Sequence, residues 1–107
     1  MAWAYLLLAG AFEVGFASTL KLTDGFTRLW PTIVFLIFAI ASFALLAKAA
    51  QTLPIGTAYA VWTGIGAVGT VIIGILFYKE PATALRLFFL ATLIVSIIGL
   101  RYATPST

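Results

Sequence analysis

The sequence predicts an all-α membrane protein with four transmembrane helices in one domain spanning residues 1–107. Hydrophobic residues make up 64% of the chain and charged residues only 8%, whereas soluble domains carry about 25% charged residues. A soluble domain of about 100 residues buries only about two-thirds of its extended-chain surface, so this many apolar side chains need lipid around them. Four long apolar segments, separated by polar or proline-containing breaks, provide the membrane spans.

The four segments are predicted as helices because lipid offers no hydrogen-bond partner to an exposed backbone. They cover about residues 2–20, 31–47, 55–78 and 84–102. Each is about 17 to 24 residues long, enough to cross about 30 Å of hydrocarbon and too long for a barrel strand.

Turn signals and charges separate the segments. The first ends before Asp24 and Gly25, a dipeptide typical of turns, and the second begins at Pro31, which suits the first turn of a helix. The third lies between Pro54 and the Lys79-Glu80-Pro81 break, and the fourth is bracketed by Arg86 and Arg101. Aromatic residues near the segment ends are typical of the membrane interface: Trp3, Trp30, Tyr78 and Tyr102.

The residue inventory excludes several classes of function. The chain contains no Cys and no His, so thiolate and imidazole metal sites and imidazole catalysis are excluded, and no cofactor or metal is predicted. Six cations scattered singly along the chain form no basic patch for nucleic acid. The sequence shows no nucleophile–base pair and no phosphate-binding motif, so we do not predict an enzyme.

The charge balance predicts an unusual membrane topology. If the helices alternate in direction, Lys21, Arg28, Lys79 and Arg86 lie on one side, against Lys48, Arg101 and the terminal amine on the other. This near-even balance gives little orientation bias and indicates insertion in both directions. Four short helices barely surround a solvated path, so we expect a homodimer whose two copies are inserted in opposite directions.

Glu13, near the middle of the first helix, is the strongest candidate for a functional residue. A carboxylate at membrane depth costs about 2.5 to 3.5 kcal/mol and usually serves a function, although it can also join helices by a structural hydrogen bond. Removal from water favours the neutral carboxyl, so the group is suited to bind either a proton or an organic cation. Mutual exclusion of these two ligands at one carboxylate makes a proton-coupled antiporter.

The neighbours of Glu13 indicate a ligand pocket. Ala9, Gly10 and Ala17 lie one turn away and leave room for a ligand, and Phe16 supplies an aromatic wall. Close helix packing is the alternative explanation for the small residues.

The second helix carries one deep hydroxyl, that of Ser42. It is predicted either to donate to Glu13 or to donate to its own backbone carbonyl one turn earlier. The sequence leaves both alternatives open.

The third helix has an aromatic stripe and a glycine-rich stretch. Tyr59, Trp62 and Thr63 are spaced three and four residues apart, so they share one face of the helix. This face is predicted to bind a cation through its aromatic rings, with packing in a core as the alternative. Gly64 and Gly66 offer a point where the helix could bend to alternate access, with close packing as the alternative.

The fourth helix carries neither an acid nor an aromatic stripe at depth. Thr92, Ser96 and Gly99 follow one another at one-turn spacing, a small-residue pattern that permits close approach of another helix. We therefore assign this helix to subunit association.

Several stretches of the chain together resemble the small multidrug resistance family of four-helix bacterial inner-membrane exporters. They are Glu13-Val14, Gly25 to Leu29, Leu53 to Ala67, and Lys79-Glu80-Pro81. The resemblance covers nearly the whole chain. It implies an antiparallel, dual-topology homodimer in the inner membrane that exchanges protons for small organic cations at two copies of Glu13.

Within the family, the third-helix stretch and Lys79-Glu80-Pro81 look most like the guanidinium-exporter branch. The resemblance implies that Tyr59 and Trp62 are cation-site aromatics, that Ser42 is a binding-site hydroxyl and that Gly64 to Gly66 is a kink. The branch has Trp where this chain has Phe16, which removes an N–H donor and predicts a less polar pocket for substituted guanidiniums.

The predicted function is therefore proton-coupled export of guanidinium or substituted guanidinium cations. Two alternatives stay open: a broad exporter of hydrophobic quaternary ammonium cations, and a non-transporting membrane subunit in which Glu13 only holds helices together or pairs with a charge on another protein. A heterodimeric subunit, paired with another family member, is the alternative to the homodimer.

Overall fold

The computed structural model describes residues 2–104, which form four long α-helices. They are α1 (Ala2–Leu20), α2 (Leu29–Ala49), α3 (Ile55–Phe77) and α4 (Ala84–Ala103), with a short 3-10 helix (Lys21–Thr23) directly after α1. All four are long and apolar enough to cross a membrane, which confirms the prediction of an all-α protein with four spans. The amino group of Met1, counted in the predicted charge balance, lies outside the described residues.

Helix α2 begins at Leu29, two residues before the predicted start at Pro31, and ends at Ala49. The Arg28 carbonyl accepts a hydrogen bond from the Thr32 backbone N–H, at 3.2 Å, and one from the Thr32 hydroxyl, at 2.6 Å. Pro31 still lies in the first turn, where a backbone N–H would have no intrahelical partner.

The turn between α1 and α2 is built on Thr23 and a left-handed segment. Asp24, Gly25 and Phe26 have φ angles of 49°, 70° and 66°, a conformation that glycine adopts freely and other residues adopt at a cost. The buried Thr23 hydroxyl donates to the Leu20 carbonyl at 2.7 Å and accepts from the Phe26 N–H at 3.2 Å. These bonds fix the reversal of the chain that returns α2 alongside α1.

The buried core sits at one end of the bundle. Helix α1 packs against α2 and α3, and α4 packs against α3. The buried hydrophobic residues come from the first half of α1, the end of α2, the connection from α2 to α3 and the first half of α3: Leu6, Ala9, Ala49, Leu53, Ala58, Val61 and Trp62. Large apolar side chains cover much of the outside, as expected where the surrounding solvent is lipid.

Three cations lie over aromatic rings at the two ends of the bundle. Lys48 Nζ lies 5.3 Å from the Tyr5 ring centroid and Arg101 Cζ 4.4 Å from that of Trp3, both at the end where α1 begins. Lys21 Nζ lies 5.2 Å from the Tyr78 ring centroid at the opposite end. Each contact is a cation–π interaction that anchors a positive charge near a membrane surface.

Candidate functional site

Glu13 lies half-buried in the middle of α1, and its carboxyl group packs against the backbone of α3 at Gly66. A Cβ atom at Gly66 would overlap the carboxyl group and would lie 2.7 Å from Glu13 Cγ. Only glycine therefore lets the carboxyl group sit this close to α3. Glu13 Oε1 is buried and has no hydrogen-bond partner within residues 2–104.

Ser42 joins three helices through its hydroxyl group and makes neither of the two predicted bonds. The hydroxyl donates to the Ala9 carbonyl of α1 at 2.7 Å and accepts from Trp62 Nε1 of α3 at 2.9 Å. The side chain is fully buried. The buried Trp62 N–H needs an acceptor, and the Ser42 oxygen provides it. The Ser42 hydroxyl can still donate its proton to the Ala9 carbonyl, which lies one turn before Glu13 on α1.

The predicted stripe on α3 lies at the boundary between the core and the outside. Trp62 is only 6% exposed, whereas Tyr59 is 56% exposed, and their ring centroids lie 5.8 Å apart. Thr63 is also exposed, and its hydroxyl donates to the Tyr59 carbonyl at 2.7 Å. Tyr59 thus extends the aromatic surface outward from the buried Trp62.

Phe16 belongs to an aromatic cluster formed by α1, α2 and α3. Its ring meets Phe35 edge-on at 5.5 Å between centroids, stacks on Phe43 at 6.1 Å and lies 6.5 Å from Trp62. Since Phe16 follows Glu13 by one turn of α1, this cluster lies beside the carboxyl site.

The two glycines of the predicted bend face different helices. Gly66 meets Glu13, whereas a Cβ at Gly64 would lie 2.7 Å from Ile97 Cδ1 of α4. Helix α3 runs without a break from Ile55 to Phe77. Both glycines therefore permit close packing in this conformation, and their action as a hinge stays a prediction.

The small residues of α4 that were assigned to subunit association are exposed. Thr92, Ser96 and Gly99 all lie on the outside, and a Cβ at Gly99 would meet nothing within 4 Å. The Thr92 hydroxyl donates to the Phe89 carbonyl at 2.8 Å. This face is open in the single chain.

Sequence reasoning missed two parts of the site. Phe35 and Phe43 of α2 were not predicted, although their spacing of eight residues puts them on one helix face. The contact between Glu13 and Gly66 was also missed, because no pattern within one helix reveals which glycine faces a neighbouring helix.

The assembled groups are suited to hold a small cation or a proton. A carboxyl group offers charge, the aromatic faces of Trp62, Tyr59 and Phe16 attract cations, and the surrounding lipid lowers the dielectric constant. Within residues 2–104 there is no cluster of acidic, Cys or His side chains that could hold a metal ion.

Comparison with known proteins gives a consistent family assignment. A family model described as "Small Multidrug Resistance protein" matches residues 1–93. A guanidinium exporter of Citrobacter freundii is 53% identical over 104 residues, covering 97% of this chain and 99% of the relative. A guanidinium exporter of Escherichia coli (strain K12) is 51% identical over the same shares of both chains.

The matched residues include α1, with its membrane-depth carboxyl group, and all of α2 and α3. The two relatives extend the match over 104 residues. The chain therefore belongs to the small multidrug resistance family and is a multi-pass protein of the bacterial inner membrane.

Proposed function

We propose that this chain is a proton-coupled antiporter that exports guanidinium or substituted guanidinium cations. The observation that carries the proposal is the Glu13 carboxyl group, which lies at membrane depth with a buried oxygen that has no partner within residues 2–104. A buried carboxyl oxygen without a partner is stabilised by either a proton or a cation that donates hydrogen bonds.

Coupling follows from competition at this one carboxyl group. Binding of a cation requires the ionised form, so the proton must leave first. Binding of a proton removes the negative charge, so the cation is released. Exchange then needs only that the site open alternately to the two sides of the membrane.

Guanidinium suits a site built from two carboxylates. The planar ion presents a fork of N–H donors that match carboxylate oxygens in pairs. One chain supplies one Glu13, and a second copy supplies another. The relatives that are 51–53% identical are guanidinium exporters, which supports this substrate class.

The near-even charge balance and the open face of α4 support an antiparallel homodimer. Four side-chain cations lie toward one end of the bundle, Lys21, Arg28, Lys79 and Arg86, and two toward the other, Lys48 and Arg101. The exposed Thr92, Ser96 and Gly99 give α4 a surface on which a second copy can pack closely. Pairing with a different family member is the alternative.

The surroundings of Phe16 favour guanidiniums that carry an apolar group. The Phe16 ring adds no hydrogen-bond donor, and the Trp62 N–H is already bonded to Ser42. An apolar substituent that packs beside Phe16, Phe35 and Phe43 would bury its surface away from water and so add binding free energy. Unsubstituted guanidinium has no apolar group that can do this.

A second candidate function, export of hydrophobic quaternary ammonium cations, is favoured by the same aromatic cluster. Such cations lack N–H donors and bind through aromatic faces, here those of Phe16, Trp62 and Tyr59. Their transport would depend little on Ser42.

The first test replaces Glu13 by Gln in protein reconstituted alone into liposomes. We expect Glu13→Gln to abolish guanidinium-driven proton flux, measured with a pH-sensitive dye inside the vesicles, because the amide can neither titrate nor carry charge. Glu80→Gln is the matched control, since Glu80 lies outside the helices and pairs with Arg86 at 3.3 Å on the exposed surface. Proton-coupled flux that persists in Glu13→Gln would contradict the proposal.

A substrate panel separates the candidates. We expect flux with guanidinium and greater flux with alkylguanidiniums, and little with tetraalkylammonium ions. The opposite order would favour the second candidate. If the chain alone moved none of these cations, a heterodimeric or non-transporting subunit would be favoured.

A further inference from the structure

A groove lies between α3 and the start of α4, and none of the residues that line it belongs to the cation site described above. It has a volume of about 400 Å³ and is open on its outer side. Because the helices cross a membrane, that side faces lipid. The lining consists of one residue of α3, the residue before α4 and one face of α4: Val71, Thr83, Leu85, Arg86, Phe89, Leu90 and Leu93.

The groove is polar at one end and apolar along the rest. Thr83 and Arg86 lie at the start of α4. At 1.5 Å per residue, Arg86 and Leu93 are about 10 Å apart along the helix, whereas one leaflet provides about 15 Å of hydrocarbon. The groove therefore fits within one leaflet and has the polarity of a phospholipid. Its apolar residues follow Arg86 on the same helix face: Phe89, Leu90 and Leu93.

The polar end has hydrogen-bond donors left for a ligand. The Arg86 guanidinium donates to the Pro81 carbonyl at 2.7 Å and to Glu80 Oε1 at 3.3 Å, and it carries more N–H groups than these bonds use. The contact with Glu80 is longer than the roughly 2.7–2.9 Å of a close ionic hydrogen bond and is partly exposed, so it holds the guanidinium weakly. The Thr83 hydroxyl accepts from the Arg86 backbone N–H at 3.2 Å, which leaves its own proton for an acceptor.

The charge of Arg86 determines which kind of ligand suits the groove. A guanidinium side chain repels the transported cation and binds phosphate oxygens in pairs. A second copy of the chain is expected on another face, because Thr92 and Gly99 lie about 100° and 120° around α4 from Leu93. In an inner membrane, the ligand that joins an anionic group to a long apolar chain is an anionic phospholipid.

We propose that this groove binds an anionic phospholipid, with the phosphate at Thr83 and Arg86 and one acyl chain along Phe89, Leu90 and Leu93. Basic pockets between transmembrane helices bind anionic headgroups in this way. The acyl chain would complete the packing of α4 against α3, since no residue of α4 is buried by the protein itself. The lipid site is separate from the proposed transport and does not depend on it.

The test measures which lipid the purified full chain retains. Protein in detergent micelles is mixed with equal amounts of phosphatidylglycerol and phosphatidylcholine of the same chain length, and native mass spectrometry counts the lipids bound per chain. We expect phosphatidylglycerol to be retained in preference, and Arg86→Gln to lower its retention about fivefold, as for loss of one cation near the membrane surface. Arg86→Lys, which keeps the charge, should retain most of the preference.

Arg101→Gln is the matched control for the charge, because Arg101 is the cation at the other end of α4 and lies over the Trp3 ring. The apolar part of the groove is tested by Leu90→Trp, whose indole ring should fill it and lower retention although Arg86 is intact. Leu87→Trp, on the exposed side of α4, is the control for the added ring. If Arg86→Gln does not fold, Leu90→Trp still tests the site.

An excess of inorganic phosphate distinguishes a lipid site from a simple anion site. We expect phosphate to leave phosphatidylglycerol bound, because it has no chain to occupy the apolar part of the groove. Displacement by phosphate, equal retention of the two lipids by the wild type, or unchanged retention in folded Arg86→Gln or Leu90→Trp would overturn the lipid site. An equal fall in Arg101→Gln would show a general effect of charge and would overturn it as well.

Discussion

Helix α3 packs against α1 and α4 in different ways. On the α1 side, glycines bring the backbone directly against Glu13 and Val14. On the α4 side, Gly64 meets the apolar side chains of Ile97 and Leu93, and no residue of α4 is buried. An open groove of about 280 Å³ also lies beside this contact, lined by Val14 of α1 and by residues of α3 and α4: Ile65, Val68, Gly69, Ile94, Ile97 and Ile98.

This difference teaches that α1, α2 and α3 form a unit that positions the functional groups without help from α4. Ser42 ties the three helices together through Ala9 and Trp62. Helix α4 is attached along one side, and its remaining surface is left for lipid or for another protein. The comparison predicts that equal changes on the two sides of α3 have unequal effects.

Gly66→Ala should have the largest effect. The new methyl group would overlap the Glu13 carboxyl group, which cannot move aside without leaving α3. We expect proton-coupled transport to fall more than about tenfold and the free energy of unfolding to fall by about 1–3 kcal/mol. Transport in liposomes and unfolding in mixed micelles measure the two quantities.

Gly64→Ala is the corresponding change on the α4 side and should cost less, because the atoms it meets, Cδ1 and Cγ1 of Ile97, belong to an apolar side chain that can change rotamer on a helix with no buried residue. Gly56→Ala, with nothing within 4 Å of its Cβ, controls for the loss of a helix glycine. Equal losses for Gly64→Ala and Gly66→Ala would remove the distinction between the two sides of α3.

The sequence predicted the four helices because their cause is local. Length and hydrophobicity determine whether a segment crosses lipid, and turn residues such as Asp24, Gly25 and Pro31 determine where it stops. A glutamate among apolar residues stands out for the same reason, so Glu13 was predicted as a candidate from the sequence alone.

The partners of Ser42 and Glu13 could not be predicted, because they depend on the rotation and register of neighbouring helices. A hydroxyl deep in α2 reaches an α1 carbonyl only if α2 faces Ala9, and it reaches an indole N–H only if Trp62 points inward. Composition does not determine how α2 and α3 are rotated about their own axes. Likewise, nothing in the sequence distinguishes Gly64 from Gly66, although Gly64 faces α4 and Gly66 faces α1.

Gly99→Leu should have the next largest effect, on association and not on the fold of the single chain. Gly99 is exposed and a Cβ atom there would meet nothing within 4 Å in one chain, so we expect the helix bundle to tolerate a larger side chain. If α4 packs on a second copy through this face, the added side chain should reduce the fraction of dimer severalfold. Cross-linking in liposomes at several protein-to-lipid ratios measures that fraction.

Tyr102→Leu, also on the exposed side of α4, is the control for a leucine introduced at the end of this helix. Unchanged cross-linking in Gly99→Leu would place the subunit contact elsewhere and leave this part of α4 facing lipid.

Ser42→Ala comes last and tests, through stability, whether α1, α2 and α3 behave as one unit. The change leaves the buried Trp62 N–H without an acceptor and the Ala9 carbonyl without its 2.7 Å donor. We expect the free energy of unfolding in mixed micelles to fall by about 1–3 kcal/mol.

Combining Ser42→Ala with Trp62→Phe removes both members of the 2.9 Å bond. The free energy of unfolding of the double variant should therefore fall by less than the sum of the two single losses. Additive losses would show that this bond does not couple α2 to α3, and the three-helix unit would then depend on apolar packing alone.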